Sequence, residues 1–277
     1  MKVSISMYSL NSTIQKEGWG IKEFLDFAKE SNVDGVELLD IYWDNEDEEI
    51  DWAYDYVKKQ NLVVSAYDIT NDFVKDSERE RQQEVQKVID SVFTAKKLGT
   101  NVVRVFCGDL KEGYTYEDGK DWIIDGLKEA AKVAEKEQVY LAIENHGLLA
   151  GRSEQVQEII KSVDSHYVRS TFDTGNFLLV HESPTEAFKR LKQDIVHVHF
   201  KDFRTKAEGE DIKGFKSLEG VELIGVVPGD GQVDLDEIVS GLKENQYDGW
   251  LSIEYEGKDD AKESNLEAVR RLRQLLQ

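Results

Sequence analysis

Eight short apolar segments recur along the chain, each followed by a helical one, and this alternation restricts the fold more than any other feature. The strand-like segments fall at 3–8, 34–40, 62–68, 101–106, 139–145, 168–173, 195–200 and 249–254. The pattern predicts helices near 20–31, 46–60, 77–98, 119–137, 152–163, 183–192, 234–243 and 260–276. In the third helix Val85, Val88, Ile89, Val92 and Ala95 recur at helical spacing, as do Leu266, Val269, Leu272 and Leu276 in the last. Strict β/α alternation calls for a parallel sheet covered by helices. Eight units in 277 residues fit a closed (β/α)8 barrel, the TIM-barrel architecture, as a single domain over 1–277. A doubly wound open sheet is the alternative, but no Gly-rich phosphate-binding turn follows the first strand. The longest irregular stretch, about 201–233 after strand seven, contains VELIGVV and is read as a long loop with a short extra strand or hairpin.

Charge and cysteine usage narrow the partners. The chain carries 35 Lys+Arg against 56 Asp+Glu, a formal charge of −21. Such a surface repels phosphate backbones and anionic membranes, because non-specific nucleic-acid affinity comes from cationic counterion release. Neither nucleic acid nor membrane is therefore expected as a partner; a homo-oligomer is compatible with the sequence. Cys107 is the only cysteine, which leaves no intrachain disulfide and argues against a secreted scaffold. The first residues, MKVSISMYSLNSTIQKEG, lack the apolar stretch of a signal peptide. The expected location is cytoplasmic.

Side chains alternate between the two faces of a strand. In strand five Leu141 and Ile143 share one parity, Glu144 and His146 the other; in strand six Phe172 opposes Thr171 and Asp173. In strand seven Val196, Val198 and Phe200 oppose His197, His199 and Lys201; in strand eight Leu251, Ile253 and Tyr255 oppose Ser252 and Glu254. Strand one sets Val3, Ile5 and Met7 against Ser4, Ser6 and Tyr8. The apolar parity should meet the helices and the polar parity the barrel interior. That brings Glu144, Asp173, His199 and Glu254 to the carboxyl mouth, where such barrels place their chemistry. Three carboxylates so crowded would repel one another unless a cation lies among them. Three oxygens and one imidazole suit a divalent ion, Mn2+ first, with Mg2+, Co2+ or Zn2+ as alternatives. Because the four come from the last four strands, the ion should lie off the axis. The other half is then left for substrate, with Tyr8, Glu37 and Arg104 as walls. His166 and His181 are read as structural.

At these residues the chain resembles the xylose-isomerase-like barrels, the sugar and sugar-phosphate isomerases and epimerases. The matching strings are VDGVELLD (33–40), VVRVFCG (102–108), LAIENHG (141–147), STFDTGNF (170–177), VHVHFKD (196–202), VPGDGQVD (227–234) and GWLSIEYEG (249–257). The resemblance implies metal ligation by Glu144, Asp173, His199 and Glu254, with Glu144 and Glu254 also working on the substrate. It implies that His146, Asn176, Lys201 and Arg104 line the sugar pocket, and that His197 lies one layer deeper. Two positions depart from the ketose 3-epimerases of the family. Asn176 stands where those enzymes usually have a histidine, and Thr205 where they tend to have an arginine. The HFKD string is similar to inosose- and hydroxypyruvate-handling relatives.

The chemistry expected is proton transfer at a carbon next to a carbonyl, through an enediolate stabilised by the metal. One glutamate would act as general base and the other would return a proton, giving epimerisation; one glutamate shuttling would give isomerisation. A dehydratase of an inosose-like substrate is the nearest rival. An apurinic-site endonuclease needs more histidine ligands than five His supply, and a non-catalytic sugar-binding barrel has no need of two glutamates beside a metal. Cys107 is read as a buried small residue. Tyr8, Trp43, Tyr67, Phe106 and Phe177 are candidates for stacking on a sugar, and Lys213 and Lys216 for a phosphate.

Overall fold

A computed structural model describes residues 1–277, the side chain of Asp47 excepted. Eight parallel strands close into a barrel: β1 (Lys2–Ser6), β2 (Gly35–Leu39), β3 (Val63–Asp68), β4 (Val102–Val105), β5 (Tyr140–Glu144), β6 (Val168–Asp173), β7 (Ile195–Phe200) and β11 (Trp250–Ile253). Around the ring the order is β1-β11-β7-β6-β5-β4-β3-β2, so the strands neighbour one another in chain order and the last closes on the first. Each falls within one residue of its sequence-predicted segment except β1, which ends at Ser6 rather than at Tyr8. Helices α2 (Ile21–Glu30), α3 (Glu46–Lys59), α4 (Glu78–Lys97), α5 (Tyr116–Glu137), α6 (Ser153–Val163), α7 (Pro184–Leu191), α8 (Leu235–Glu244) and α9 (Ala261–Leu276) cover the barrel. Their boundaries follow local capping chemistry. Ser77 accepts from the Glu80 N–H while Glu80 reaches back to Ser77, a reciprocal cap at the start of α4. Thr115 and Asp118 do the same for α5, which therefore begins at Tyr116 rather than at 119. Also beyond the predicted set, a 3-10 turn (Met7–Leu10) leads into α1 (Asn11–Glu17), which ends at Gly18 in a left-handed conformation, φ 70°.

The apolar parity meets the helices as expected. Val3, Ile5, Leu141, Ile143, Val198, Phe200, Leu251 and Ile253 have no exposed surface and join the main core. Val196 departs from the rule. The β6–β7 register slips so that Ser170 opposes Ile195 but Thr171 opposes His197. Val196 is the extra residue, and it packs instead with Ala66, Val102 and Ala142. Those three precede Asp68, Arg104 and Glu144 by two positions, so the cluster forms an apolar layer inside the barrel beneath the charged one.

The stretch after β7 is more ordered than the sequence pattern suggests. Strands β8 (Asp202–Thr205), β9 (Phe215–Lys216) and β10 (Glu222–Val226) form a small antiparallel sheet in the order β8-β10-β9. Buried Asp202 anchors it, accepting the backbone N–H groups of Phe203, Gly229, Gly231 and Val233 at 2.9–3.0 Å. A Cβ at Gly231 would sit 2.2 Å from Asp202 Oδ1, so the turn requires glycine there. The pairing of HFKD with VPGDG along the chain thus reflects one carboxylate gathering one loop.

Candidate active site

Strands β5, β6, β7 and β11 lie side by side, and their carboxyl ends deliver Glu144, Asp173, His199 and Glu254 to one point. One ligand atom from each lies within 4.8 Å of the others. His199 Nδ1 is 3.6 Å from Glu144 Oε2, 3.8 Å from Asp173 Oδ2 and 3.5 Å from Glu254 Oε2. All four side chains are buried. Glu144 Oε2, Asp173 Oδ2 and His199 Nδ1 have no hydrogen-bond partner among the described residues. The remaining oxygens are held. Asp173 Oδ1 accepts the N–H groups of Gly175 and Asn176, both at 2.8 Å, and Glu144 Oε1 accepts from Asn176 Nδ2 at 3.0 Å. Asn145, which sequence reasoning passed over, exchanges two hydrogen bonds with the Asp173 backbone. Glu144 and Asp173 are therefore each clamped by one oxygen and present the other to the same place, which Glu254 Oε2 also faces. This fits a hard or borderline divalent cation held by three oxygens and one nitrogen.

Two permanent cations reach the cluster. Lys201 Nζ lies 2.5 Å from Glu254 Oε2, 3.0 Å from Asp173 Oδ2 and 3.4 Å from Glu256 Oε2. Arg104 lies 3.2 Å from both Glu144 Oε2 and Asp68 Oδ2. They face six carboxyl groups: Glu37, Asp68, Glu144, Asp173, Glu254 and Glu256. The surplus of negative charge and the burial together shift the carboxyl pKa values. Burial pushes Asp173 up to about 6, because Lys201 offsets it only in part and Glu144 and Glu254 add to it. Burial likewise raises Glu256 to about 7 despite Lys201. At Glu144, burial is outweighed by His199 and Arg104, which hold the carboxyl at about 2. At Glu254, Lys201 and His199 likewise outweigh burial and lower it. Metal ligands must shed their protons. Divalent-ion affinity is therefore expected to fall as pH drops, through about 6 as Asp173 takes up a proton, and also because His199, whose pKa is raised against burial by Glu37, Glu254 and Glu144, must shed one to ligate. Titrating Mn2+ at pH 7.5 and at pH 5 (both values on the order of the range in which such carboxyl and imidazole groups titrate) checks this; equal affinity at both would contradict it.

Glu37 was expected to wall the substrate half. It is instead fully buried beneath the cluster. Its Oε1 lies 2.7 Å from His199 Nε2 and its Oε2 3.0 Å from His197 Nε2. Burial would raise its pKa, but the two histidines outweigh it and hold the carboxyl well below the usual range. An ionised carboxylate only accepts, so both Nε2 atoms carry hydrogens and His199 turns Nδ1 toward the ligand cluster. Beside Glu37 sits Asp68, another residue missed at first. Burial pushes its pKa well up, with Arg104 opposing and Glu37 adding to the rise. The alternation gave no signal for it, since Val64 and Ala66 share its parity in β3. Glu37→Gln, which offers one acceptor to two N–H donors, is expected to weaken metal affinity about 10–100-fold. Metal titration of the folded variant reads this, and wild-type affinity would remove Glu37 from that role.

Beside the cluster opens a cavity of about 200 Å3. Tyr8, Arg104, His146, Lys201, Glu144 and Glu254 line it, joined by Phe106 and by Thr70 and Glu256. The His146 ring stacks on Phe106 with centroids 4.0 Å apart, and the Arg104 guanidinium lies 3.9 Å over the same ring. Burial lowers the His146 pKa, which keeps the ring neutral. Asn176 does not line this cavity; it lies behind it, holding Glu144. Phe177 is fully buried in the core, Tyr67 donates to Glu46, and Lys213 and Lys216 are exposed away from the cavity. Burial raises the Cys107 thiol to about 12, so it is inert. His181 pairs with Ser217, and His166 with Arg169, both away from the cluster. Among the described residues no helix is long and apolar enough to cross a membrane.

Comparison with known proteins bears on the fold and the family. An inosose dehydratase of Clostridium botulinum (strain Eklund 17B / Type B) is 30% identical over 152 residues, covering 52% of this chain and 50% of the relative. The aligned region thus spans about half the length of the curated relatives. Among solved structures, the probable 3-DHS dehydratase AsbF of Bacillus anthracis superposes with a TM-score of 0.78 at 18% identity, over 99% of each chain. The IolI protein with a bound zinc atom gives 0.78 at 20% identity, over 100% of this chain and 96% of that one. At such identities these structures speak to the fold. A family model described as xylose isomerase-like TIM barrel matches residues 25–275, and the chain belongs to that family.

Proposed function

We propose that the protein is a divalent-metal-dependent isomerase or epimerase of a small polyhydroxylated carbonyl compound, working by proton transfer at the carbon beside the carbonyl. The observation that carries this reading is the convergence of Glu144, Asp173, His199 and Glu254 beside a cavity that Glu144 and Glu254 line. The cavity's volume is below the ~300–1,000 Å3 typical of drug-sized ligands, which matches a substrate the size of one sugar ring. A divalent ion bound by these four side chains would polarise the carbonyl and stabilise negative charge developing on its oxygen. The native ion is proposed as Mn2+ on the strength of the oxygen-rich set, with Zn2+ the competitor.

The chain's own groups supply the rest. Glu144 and Glu254 are both held ionised and both reach the cavity, so one can take the proton and the other return it. Lys201, tied to Glu254 and Glu256, and the neutral His146 ring are placed to donate hydrogen bonds to substrate oxygens. Arg104 fixes Glu144 from behind. A second reading, dehydration, is favoured by the inosose dehydratase relatives and by one local feature. Glu256, which burial keeps near a pKa of 7, is a carboxylic acid beside Lys201 that can protonate a leaving hydroxyl.

One experiment separates them. Protein loaded with Mn2+, Zn2+, Mg2+ or Co2+ is incubated in deuterated water with ketoses, sugar phosphates, inososes and hydroxypyruvate. Deuterium incorporation at carbon without loss of water supports isomerisation or epimerisation. Loss of water supports the dehydratase. Metal-loaded protein that exchanges no C–H across the panel contradicts both.

A further inference from the structure

A second cavity, of about 230 Å3, adjoins the first. Tyr8 and Glu256 line both, and the outer chamber is completed by Asn11 and Gln15 of α1, by Phe215 of β9 and by Lys258. Its chemistry differs from that of the inner chamber. Phe215 presents an aromatic face that is 40% exposed. It is not loose: its ring packs edge-on against fully buried Phe203, centroids 5.5 Å apart, and β9 is paired to β10. Asn11 Oδ1 accepts from Gln15 Nε2 at 3.3 Å and from Tyr42 OH at 3.1 Å, which leaves Asn11 Nδ2 and Gln15 Oε1 for a ligand. One cation, Lys258, stands against one carboxyl, Glu256, so the chamber has no excess positive charge for an anion.

A fixed aromatic plane beside amide donors and acceptors, with balanced charge, is a surface for a neutral, hydroxyl-rich ring. We propose that the outer chamber is a subsite for a second sugar unit, so that the preferred substrate is a disaccharide whose reducing unit supplies the carbonyl rather than a free monosaccharide. This rests on the sugar-modifying function proposed above. It also gives the β8–β10 sheet a task, since that sheet brings Phe215 to the chamber and the Asp202-anchored turn holds the sheet in place.

The test uses the metal-loaded protein, with glucose, fructose and a panel of reducing disaccharides that carry an α- or β-linked glucosyl unit on either sugar as probes in calorimetric titration. At least one disaccharide should bind about tenfold or more tighter than its reducing-end monosaccharide. Phe215→Ala should abolish that margin while leaving monosaccharide binding unchanged, and Gln15→Ala should reduce it. No disaccharide preference, or a preference that survives both substitutions, overturns the subsite. So does a stronger preference for sugar phosphates that Lys258→Ala removes. Deuterium exchange on free ketoses, run in parallel, separates two failures. Exchange without disaccharide preference sinks only the subsite, whereas no exchange and no sugar binding sinks the underlying function too.

Discussion

Glu254→Gln and Glu144→Gln proteins are expected to fold normally and to lose turnover by about 10²–10⁴-fold, the usual contribution of a positioned acid or base. The loss should fall on kcat rather than on sugar affinity, because each glutamine keeps the shape and most hydrogen bonds of the original. In Glu144→Gln, Asn176 can still hold one amide atom. In Glu254→Gln, Lys201 keeps Asp173 and Glu256 as partners. The two variants should differ in isotope exchange. If one glutamate removes the proton and the other returns it, one variant still exchanges substrate hydrogen with solvent while forming no product. Full turnover in either would take that residue out of the mechanism.

The second large effect concerns stability, and its sign depends on metal. A ligand at a hundred times its dissociation constant stabilises the folded state by about 2.7 kcal/mol. For a chain of this size each kcal/mol moves the melting temperature by roughly 2–4 °C. Wild-type protein should therefore melt several degrees higher in excess Mn2+ than in chelator. Asp173→Asn should lose that difference. Its folded pKa is raised above the ordinary carboxyl value, so the native state binds a proton that the unfolded chain releases between about pH 4 and pH 6. Stability in chelator accordingly falls as pH rises through that window. Asparagine removes the penalty yet keeps an oxygen for Gly175 and Asn176. At neutral pH in chelator the variant should melt above wild type, and added metal should not move it. Wild-type melting that is indifferent to metal, or an Asp173→Asn protein that melts lower in chelator, would count against a site built for a cation.

Much of this was legible in the chain because two periodicities carry it. Period-two alternation sorted Leu141, Val198 and Leu251 from Glu144, His199 and Glu254, and the barrel closure then brought the polar set together. What parity cannot show is a slipped register: Val196 turned inward because β6 and β7 pair with one residue to spare. Nor can it show depth. Glu37 sits on the correct face, but whether it meets substrate or lies beneath the histidines depends on how far down the strand it falls in a staggered barrel. Glu256 extends the polar parity of its strand, whereas Asp68 shares its parity with Val64 and Ala66, and the importance of both appears only once six carboxyl groups are seen against two cations. Helix α1 was missed because its window, NSTIQKE, is short and polar, with Thr13 its one fully buried residue. The β8–β10 sheet was half seen in VELIGVV, since its partner strands are brief and its organiser, Asp202, acts through backbone groups far along the sequence.

Metal content measured on protein purified, stripped with chelator and reloaded with Mn2+ or Zn2+ bears most directly on the whole account. One divalent ion per chain is expected, retained through dialysis by wild type and lost in His199→Ala, with activity returning only when the ion does. A stripped protein that stays fully active, or a His199→Ala protein that retains its ion as tightly as wild type, would contradict it.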